Sequence, residues 1–277
     1  MTPQVLSKKD MEAFQQTVKE YYQRSGRHDL PWRIPERDGG FNAYKMMVSE
    51  LMLQQTQVGR VIPKYTEFLR NFPNVAVLAA APLGDVLRVW SGLGYNRRAK
   101  FLHHTAQIIT SEYGGKFPQE STALVKLPGI GVNTAGAILA YALNRPVVFI
   151  ETNIRTVFLH HFYQTKTGVA DREILALVAD TLDHEQTREW YWALMDYGSF
   201  LKRTVGNLNR ASRNYTKQSA FTGSRRAIRG KIIKLLTTAP ASQQDLAAYI
   251  NDERFNAVLA DLLLEGLIQR SGQQVSL

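Results

Sequence analysis

The sequence predicts an all-α protein that ends in a small winged-helix-like module. Three observations predict it. Apolar residues recur at helical spacing through most of the first 200 positions. Proline and glycine punctuate the chain at intervals of one or two helices. Strand-like alternation is scarce until the C-terminus, where Leu267–Arg270, the Ser271-Gly272 turn and Gln274–Leu277 read as a hairpin.

Each element follows from local pattern. Residues 8–24 form an amphipathic helix. His28–Gly40 carries two prolines and a glycine pair, and reads as a loop. Helical patterns cover 42–55, 58–71, 83–91 and 96–113. Breaks fall at Phe117-Pro118 and at Leu127-Pro128-Gly129. A helix spans 133–143, and the apolar run Val147–Ile150 leads into another at 152–163. Helices follow at 171–182 and 187–201. The tail adds helices at 225–237, 242–250 and 254–265. These expectations divide the chain into a domain over 1–223 and a module over 224–277.

Composition narrows the function classes. The 277 residues are 44% hydrophobic, enough for a sizeable core. No apolar run approaches the ~18–20 residues of a membrane span, and the N-terminus lacks a signal-peptide pattern, so a cytoplasmic protein with no membrane partner is expected. With no cysteine, disulfides, thiolate zinc sites and cysteine-held clusters are excluded. The net charge is +10, and its location is informative. The segment from Lys202 to Lys234 holds ten basic residues and no acid, while the remaining 24 basic residues balance 24 acidic ones. A solvated linker is one reading. A phosphate-following segment is the other, since each Lys or Arg that neutralises a phosphate releases a counterion.

The string Leu127-Pro128-Gly129-Ile130-Gly131-Val132-Asn133-Thr134-Ala135-Gly136 is the most informative. Pro128 ends one helix, and Gly129 and Gly131 permit a tight turn. The next helix opens with free N–H groups, a ready anion site. As bare turn chemistry, the string could also merely join two helices. In full, and placed between helices, it resembles the hairpin of the helix-hairpin-helix (HhH-GPD) DNA glycosylase superfamily. Further matches fall in order: HDLPWR (28–33), SELMLQQTQV (49–58), FPNVAVLAAAP (72–82), GLGYNRRAKFLH (92–103), GGKFP (114–118) and MDYG (195–198). Together they resemble the MutY, or adenine glycosylase, branch over residues 28–200.

The resemblance implies a two-lobed helical glycosylase fold with the hairpin at 118–136. It further implies base excision repair on double-stranded DNA carrying a mismatch or lesion, by a monomer associated with the nucleoid. Glycosidic cleavage needs a protonated acid and an ionised carboxylate. Glu50 is the first candidate: its helical neighbours Met46, Met47 and Leu53 are apolar, which disfavours ionisation. A boundary glutamate reaching solvent is the plainer reading. By resemblance Glu50 protonates the leaving adenine. Glu151 begins a helix, whose positive end favours its anion; an ordinary helix-start glutamate is the alternative. By resemblance it takes the place of the superfamily's catalytic aspartate, one methylene longer. Asn153 matches a family asparagine near the sugar, or caps the helix.

The remaining site residues also come by resemblance. Gln55 and Tyr95 are wedge residues that fill the gap left by a flipped base, with Gln54 beside them on the same helix; simple loop packing is the alternative for Tyr95. His28, Leu30 and Trp32 border the base pocket, with Trp32 offering a stacking face or instead anchoring its loop. Asn133 stands where bifunctional members carry a Schiff-base lysine, so no lyase activity is expected through it. Leu127, Gly129, Ile130, Gly131, Val132 and Thr134 would hold a phosphate at the hairpin, with a monovalent cation there as the one candidate ion. The iron–sulfur cluster that usually follows M-D-x-G has no ligands here; Lys202, Arg203, Arg210 and Arg213 are expected to take over its phosphate contacts. The usual domain that senses 8-oxoguanine is also missing from the pattern. Two rival functions remain: excision of uracil or thymine from mismatches, and structure-specific DNA binding without catalysis.

Overall fold

The computed structural model of the protein describes residues 7–217 and 220–277. The first helices are α1 (Lys8–Ser25), α2 (Ala43–Leu53), α3 (Val58–Asn71), α4 (Val75–Ala80), α5 (Leu83–Trp90) and α6 (Arg97–Glu112). Next come α7 (Ser121–Leu124), α8 (Val132–Leu143), α9 (Thr152–Phe162), α10 (Asp171–Asp180) and α11 (Thr187–Thr204). The tail holds α12 (Arg225–Leu236), β1 (Ala241–Ser242), α13 (Gln243–Ile250), α14 (Phe255–Leu264), β2 (Gln269–Ser271) and β3 (Gln274–Ser276). Single 3₁₀ turns occupy Pro31–Arg33 and Leu208–Ala211. The fold is therefore the helical one expected, with a three-stranded sheet in the tail.

By contacts the chain divides into two compact units that interleave along the sequence. Unit 1 takes the described part of Met1–Met46, then Gln119–Val125 and Ile130–Lys217. Unit 2 takes Met47–Pro118, Lys126–Gly129 and the described part of Gln218–Leu277. The tail thus belongs to the second unit by contact, although sequence places it at the far end. Residues 1–6, Gln218 and Ser219 of the expected first domain lie outside the described residues.

Unit 1 is built on α1, α9 and α11. Ser7 caps α1 by accepting from the Asp10 N–H, and Phe14, Val18 and Tyr22, four apart, bury one face. They join Ile154, Val157, Phe158, Trp190, Tyr191 and Leu194 in one apolar cluster. Gly198 of α11 lies against the backbone of α9, where a Cβ would stand 2.1 Å from the Asn153 carbonyl oxygen. Only glycine permits that approach, which explains the last residue of the Met195–Gly198 motif.

Unit 2 packs α3, α4 and α5 with α6, burying Val61, Phe68, Leu78, Leu87, Trp90 and Leu102. The six residues of α4 complete less than two turns, too few for helical periodicity to show. Its one local signal is Asn74, whose side chain accepts from the Val77 N–H. In the tail, β3 pairs antiparallel with both β1 and β2, and central Val275 is fully buried. Ser224 and Ser242 cap α12 and α13.

Candidate active site and nucleic-acid interface

In unit 2 the helix carrying Glu50 stops at Leu53, two residues short of expectation. Gln54 and Gln55 therefore sit in a turn, and Gln55 is left-handed at φ 56°. The cause is Arg98, a buried guanidinium from α6. Its Nη1 donates to the carbonyls of Leu51 (2.6 Å), Met52 (3.1 Å) and Gln54 (2.5 Å). Its Nη2 donates to Thr56 Oγ1 (3.1 Å) and to the Gly94 carbonyl (3.2 Å). A helix end normally leaves its last carbonyls without partners; here one side chain collects them and ends α2 early. Burial pushes the Arg98 pKa down to about 10, so it remains a cation at neutral pH.

Arg98 also joins α2 to the Gly92–Tyr95 turn. Its Cζ lies 5.4 Å from the Trp90 ring centroid and 5.2 Å from that of Tyr95. Trp90 Nε1 donates to the same Gly94 carbonyl (3.0 Å). Tyr95 is left-handed at φ 49°. The two expected wedge residues, Gln55 and Tyr95, thus occupy uncommon backbone conformations on either side of one guanidinium. Glu50 and Gln54 are half-buried, and Gln55 is exposed.

The hairpin turns at Gly129 alone of its two glycines: Gly131, expected to share the tight turn, is extended at φ −85° as the N-cap of α8 and has open space where a Cβ would stand. Gly129 has φ 76°, and a Cβ there would come within 2.8 Å of Phe101 Cβ. Thr105 donates to the Pro128 carbonyl (2.9 Å), fixing the turn to α6. The helix before it is only one turn, α7, ending well ahead of Pro128. Leu127 and Ile130 are buried; Gly131, Val132 and Asn133 at the opening of α8 are exposed, with Thr134 half-buried. The opening of α8 at Gly131, Val132 and Asn133 therefore faces solvent, as an anion site needs.

In unit 1 Asn133 has a specific partner: its Oδ1 accepts from the Ile150 N–H (3.4 Å). That contact ties the start of α8 to the residue before Glu151. Glu151 is the N-cap of α9, at φ −119° and ψ 170°, and is half-buried. Asn153 lies in the first turn of that helix, not at its cap, with its carbonyl against Gly198.

The loop at His28 is pinned rather than loose. His28 Nε2 lies 3.0 Å from the Tyr22 carbonyl, so that nitrogen carries the proton and donates. Leu30 and Trp32 are buried, which favours the anchoring reading of Trp32 over an open stacking face. Asp196, a residue given no role from sequence, organises this region. Its carboxylate accepts from Arg33 Nη1 (2.8 Å) and Nη2 (3.0 Å), from Arg27 Nε (2.8 Å) and from the Arg27 N–H (2.7 Å). Burial alone would raise its pKa, but the hydrogen bonds from Arg33 and the charges of Arg33 and Arg27 hold it below the usual aspartate range. The only sequence signal was that Arg33 and Asp196 each end or lie within a family motif.

The basic segment divides in two. Lys202, Arg203, Arg210 and Arg213 are all exposed, and none has an ion pair among the described residues. Their backbone is held: Asn209 Nδ2 donates to Thr156 Oγ1 (2.7 Å) and to the Thr152 carbonyl (3.3 Å). Val169 brackets the segment through the Ala211 carbonyl (3.0 Å) and the Arg213 N–H (2.9 Å). A polar cleft lined by Thr152, Arg155, Lys202 and Asn209 adjoins the start of α9. The residues here do not fit an iron–sulfur cluster, because hydroxyls, amides and cations replace thiolates. Farther along, Arg225 and Arg229 are paired with Asp261 and Glu265. A run without acids of its own is therefore not a run of unpaired cations: carboxylates from α14 and the residue just after it already meet these two.

An exposed helix opening, with exposed cations and a capping carboxylate in the same unit, fits a helical protein that binds a polyanion. The family model agrees: residues 48–196 match the HhH-GPD superfamily base excision DNA repair proteins, and the chain belongs to that superfamily. An adenine DNA glycosylase of Buchnera aphidicola subsp. Baizongia pistaciae is 38% identical over 68% of this chain, which covers 52% of that protein. The chain thus spans about half the length of that relative. The adenine DNA glycosylase of Mycolicibacterium smegmatis is 32% identical over 88% of this chain and 89% of its own length. Among solved structures, a thermostable thymine-DNA glycosylase aligns with a TM-score of 0.59 at 22% identity, over 69% of this chain and 87% of that one. That likeness concerns the fold. No helix among the described residues is long and apolar enough to cross a membrane.

Proposed function

We propose that the chain is a monofunctional DNA glycosylase that hydrolyses the N-glycosidic bond of a flipped, mispaired adenine in double-stranded DNA. The observation that carries this reading is the likeness to adenine DNA glycosylases across 88% of the chain. Glu50 delivers a proton to the base ring. The glycosidic bond breaks with its electron pair leaving on the base. The Glu151 anion stabilises the resulting sugar cation, and water adds at that carbon, its proton passing through solvent to restore the Glu50 carboxyl. No iron–sulfur cluster takes part, and the hairpin contributes no Schiff base, because Asn133 has no amine. The protein acts as a monomer at the nucleoid.

The test is a panel of duplexes, each with one mismatch or modified base, incubated and then heated in alkali to reveal abasic sites. Adenine opposite an oxidised or normal guanine is the expected substrate, with no strand cleavage when alkali is omitted. Glu50→Gln should slow single-turnover excision by about 10²–10⁴-fold while leaving duplex affinity within a few-fold. A fully active Glu50→Gln variant would favour pyrimidine excision, which needs less ring protonation. Tight binding with no abasic product on any duplex would leave only the non-catalytic role.

A further inference from the structure

The tail of the chain is latched to the turn that carries Tyr95. Glu265, just past α14, receives one guanidinium from each side. Arg229 of α12 donates from Nη2 (2.5 Å) and Nη1 (3.1 Å), and Arg97 of α6 donates from Nη2 (2.6 Å). Lys100 of α6 donates to the Glu265 main-chain carbonyl. At the far end, a Cβ on Gly84 would stand 3.3 Å from Leu277, so the last residue rests against α5. Burial opposes ionisation of Glu265, yet the hydrogen bonds from Arg229 and Arg97 outweigh it and hold the carboxyl below the ordinary glutamate range.

This latch brings the opening of α12 to Tyr95. Arg226 Nη1 donates to the Tyr95 hydroxyl (2.6 Å), and its Cζ lies 5.7 Å from the ring centroid. The same ring has Arg98 at 5.2 Å. Tyr95 is therefore gripped by two guanidinium groups. One comes from the buried end of α6, the other from a segment 131 residues later in the chain. A half-buried aromatic ring on a left-handed residue would otherwise keep its rotamer freedom, which costs free energy each time it must be ordered.

We propose that Arg226 is a positioning residue for base extrusion. Delivered by the C-terminal module, it fixes the Tyr95 phenol in the orientation in which the ring enters the duplex. The inference rests on the reading of Tyr95 as a wedge. It assigns the tail a task in catalysis without any reading of the opposite base: the module holds a tool that belongs to the other end of its unit.

The test measures extrusion directly. A duplex carrying 2-aminopurine at the target position brightens when that base unstacks, and stopped-flow mixing follows the rise. Arg226→Ala and Tyr95→Phe should each slow the rise by about tenfold, the size expected for one charge-assisted hydrogen bond. The double variant should be no slower than either single, because both remove the same contact. Arg226→Lys should recover part of the rate, and Glu265→Gln should slow it by acting through the latch. Thermal midpoints separate this from unfolding: Arg226→Ala should melt within a few degrees of the parent. Independent, multiplying effects of the two single substitutions would overturn the proposal. So would an unchanged rate in Arg226→Ala when Tyr95→Ala is slow. An unchanged rate in Tyr95→Ala would instead remove the wedge reading itself, and the inference with it.

Discussion

Replacing Arg98 should damage stability and extrusion together, and the size can be worked from its contacts. Burying this cation costs about 3 kcal/mol, since burial pushes its pKa down to about 10 and each pH unit is worth about 1.4 kcal/mol. Its two terminal nitrogens reach four carbonyls and one hydroxyl. Hydrogen bonds to a charged group contribute about 1.5–3 kcal/mol each, but bonds sharing one nitrogen do not add in full. Taking each nitrogen as worth about 3 kcal/mol, the guanidinium contributes about 6 against a cost of about 3. Arg98→Ala should therefore lose about 3 kcal/mol, a fall of roughly 6–12 °C in thermal midpoint for a chain of this size. Arg98→Lys keeps the charge but not the planar fork, so it should lie between the two. Circular dichroism melts give the midpoint, and single-turnover excision should fall in parallel because α2 would no longer end before Gln54. A wild-type midpoint in Arg98→Ala, or a lysine variant equal to the parent in both assays, would refute the reasoning.

Gly198→Ala places a methyl 2.1 Å from the Asn153 carbonyl oxygen, so one backbone must move. A cost of about 1–3 kcal/mol is expected, with excision falling by on the order of a hundredfold, since a shift of about 1 Å at Glu151 is enough; a chemical-quench assay checks it. The Asp196 carboxyl is held below its ordinary value, so its contribution to stability is full above the unfolded aspartate range and is lost as pH falls through the folded value. Melts between pH 7 and pH 3 should show that loss, and Asp196→Asn, costing about 3–5 kcal/mol, should flatten the pH dependence. Neutralising Lys202, Arg203, Arg210 and Arg213 together should weaken binding on every duplex. The log–log salt slope should drop by about 3–4 if all four meet phosphates; an unchanged slope would remove them from the interface.

The sequence alone determined the helical class and the hairpin turn, because these depend on local pattern, whereas Glu50 and Glu151 became candidates only through the resemblance to a known family. Helical periodicity located the long helices, and Pro128 and Gly129 specify a turn whatever surrounds them. The missing cysteines likewise excluded a thiolate-held cluster before any fold was known. What only the tertiary structure decided were partners far apart in the chain. Nothing near Leu53 shows that α2 should stop there; the reason is Arg98, more than forty residues later. Asp196 looked like one residue of a motif until Arg27 and Arg33 closed on it. The basic run lost two of its cations to Asp261 and Glu265, and a third, Arg226, to the Tyr95 hydroxyl. Periodicity reports which face of a helix is buried, but a hydrogen bond or ion pair depends on where two distant backbones meet, and only packing sets that distance.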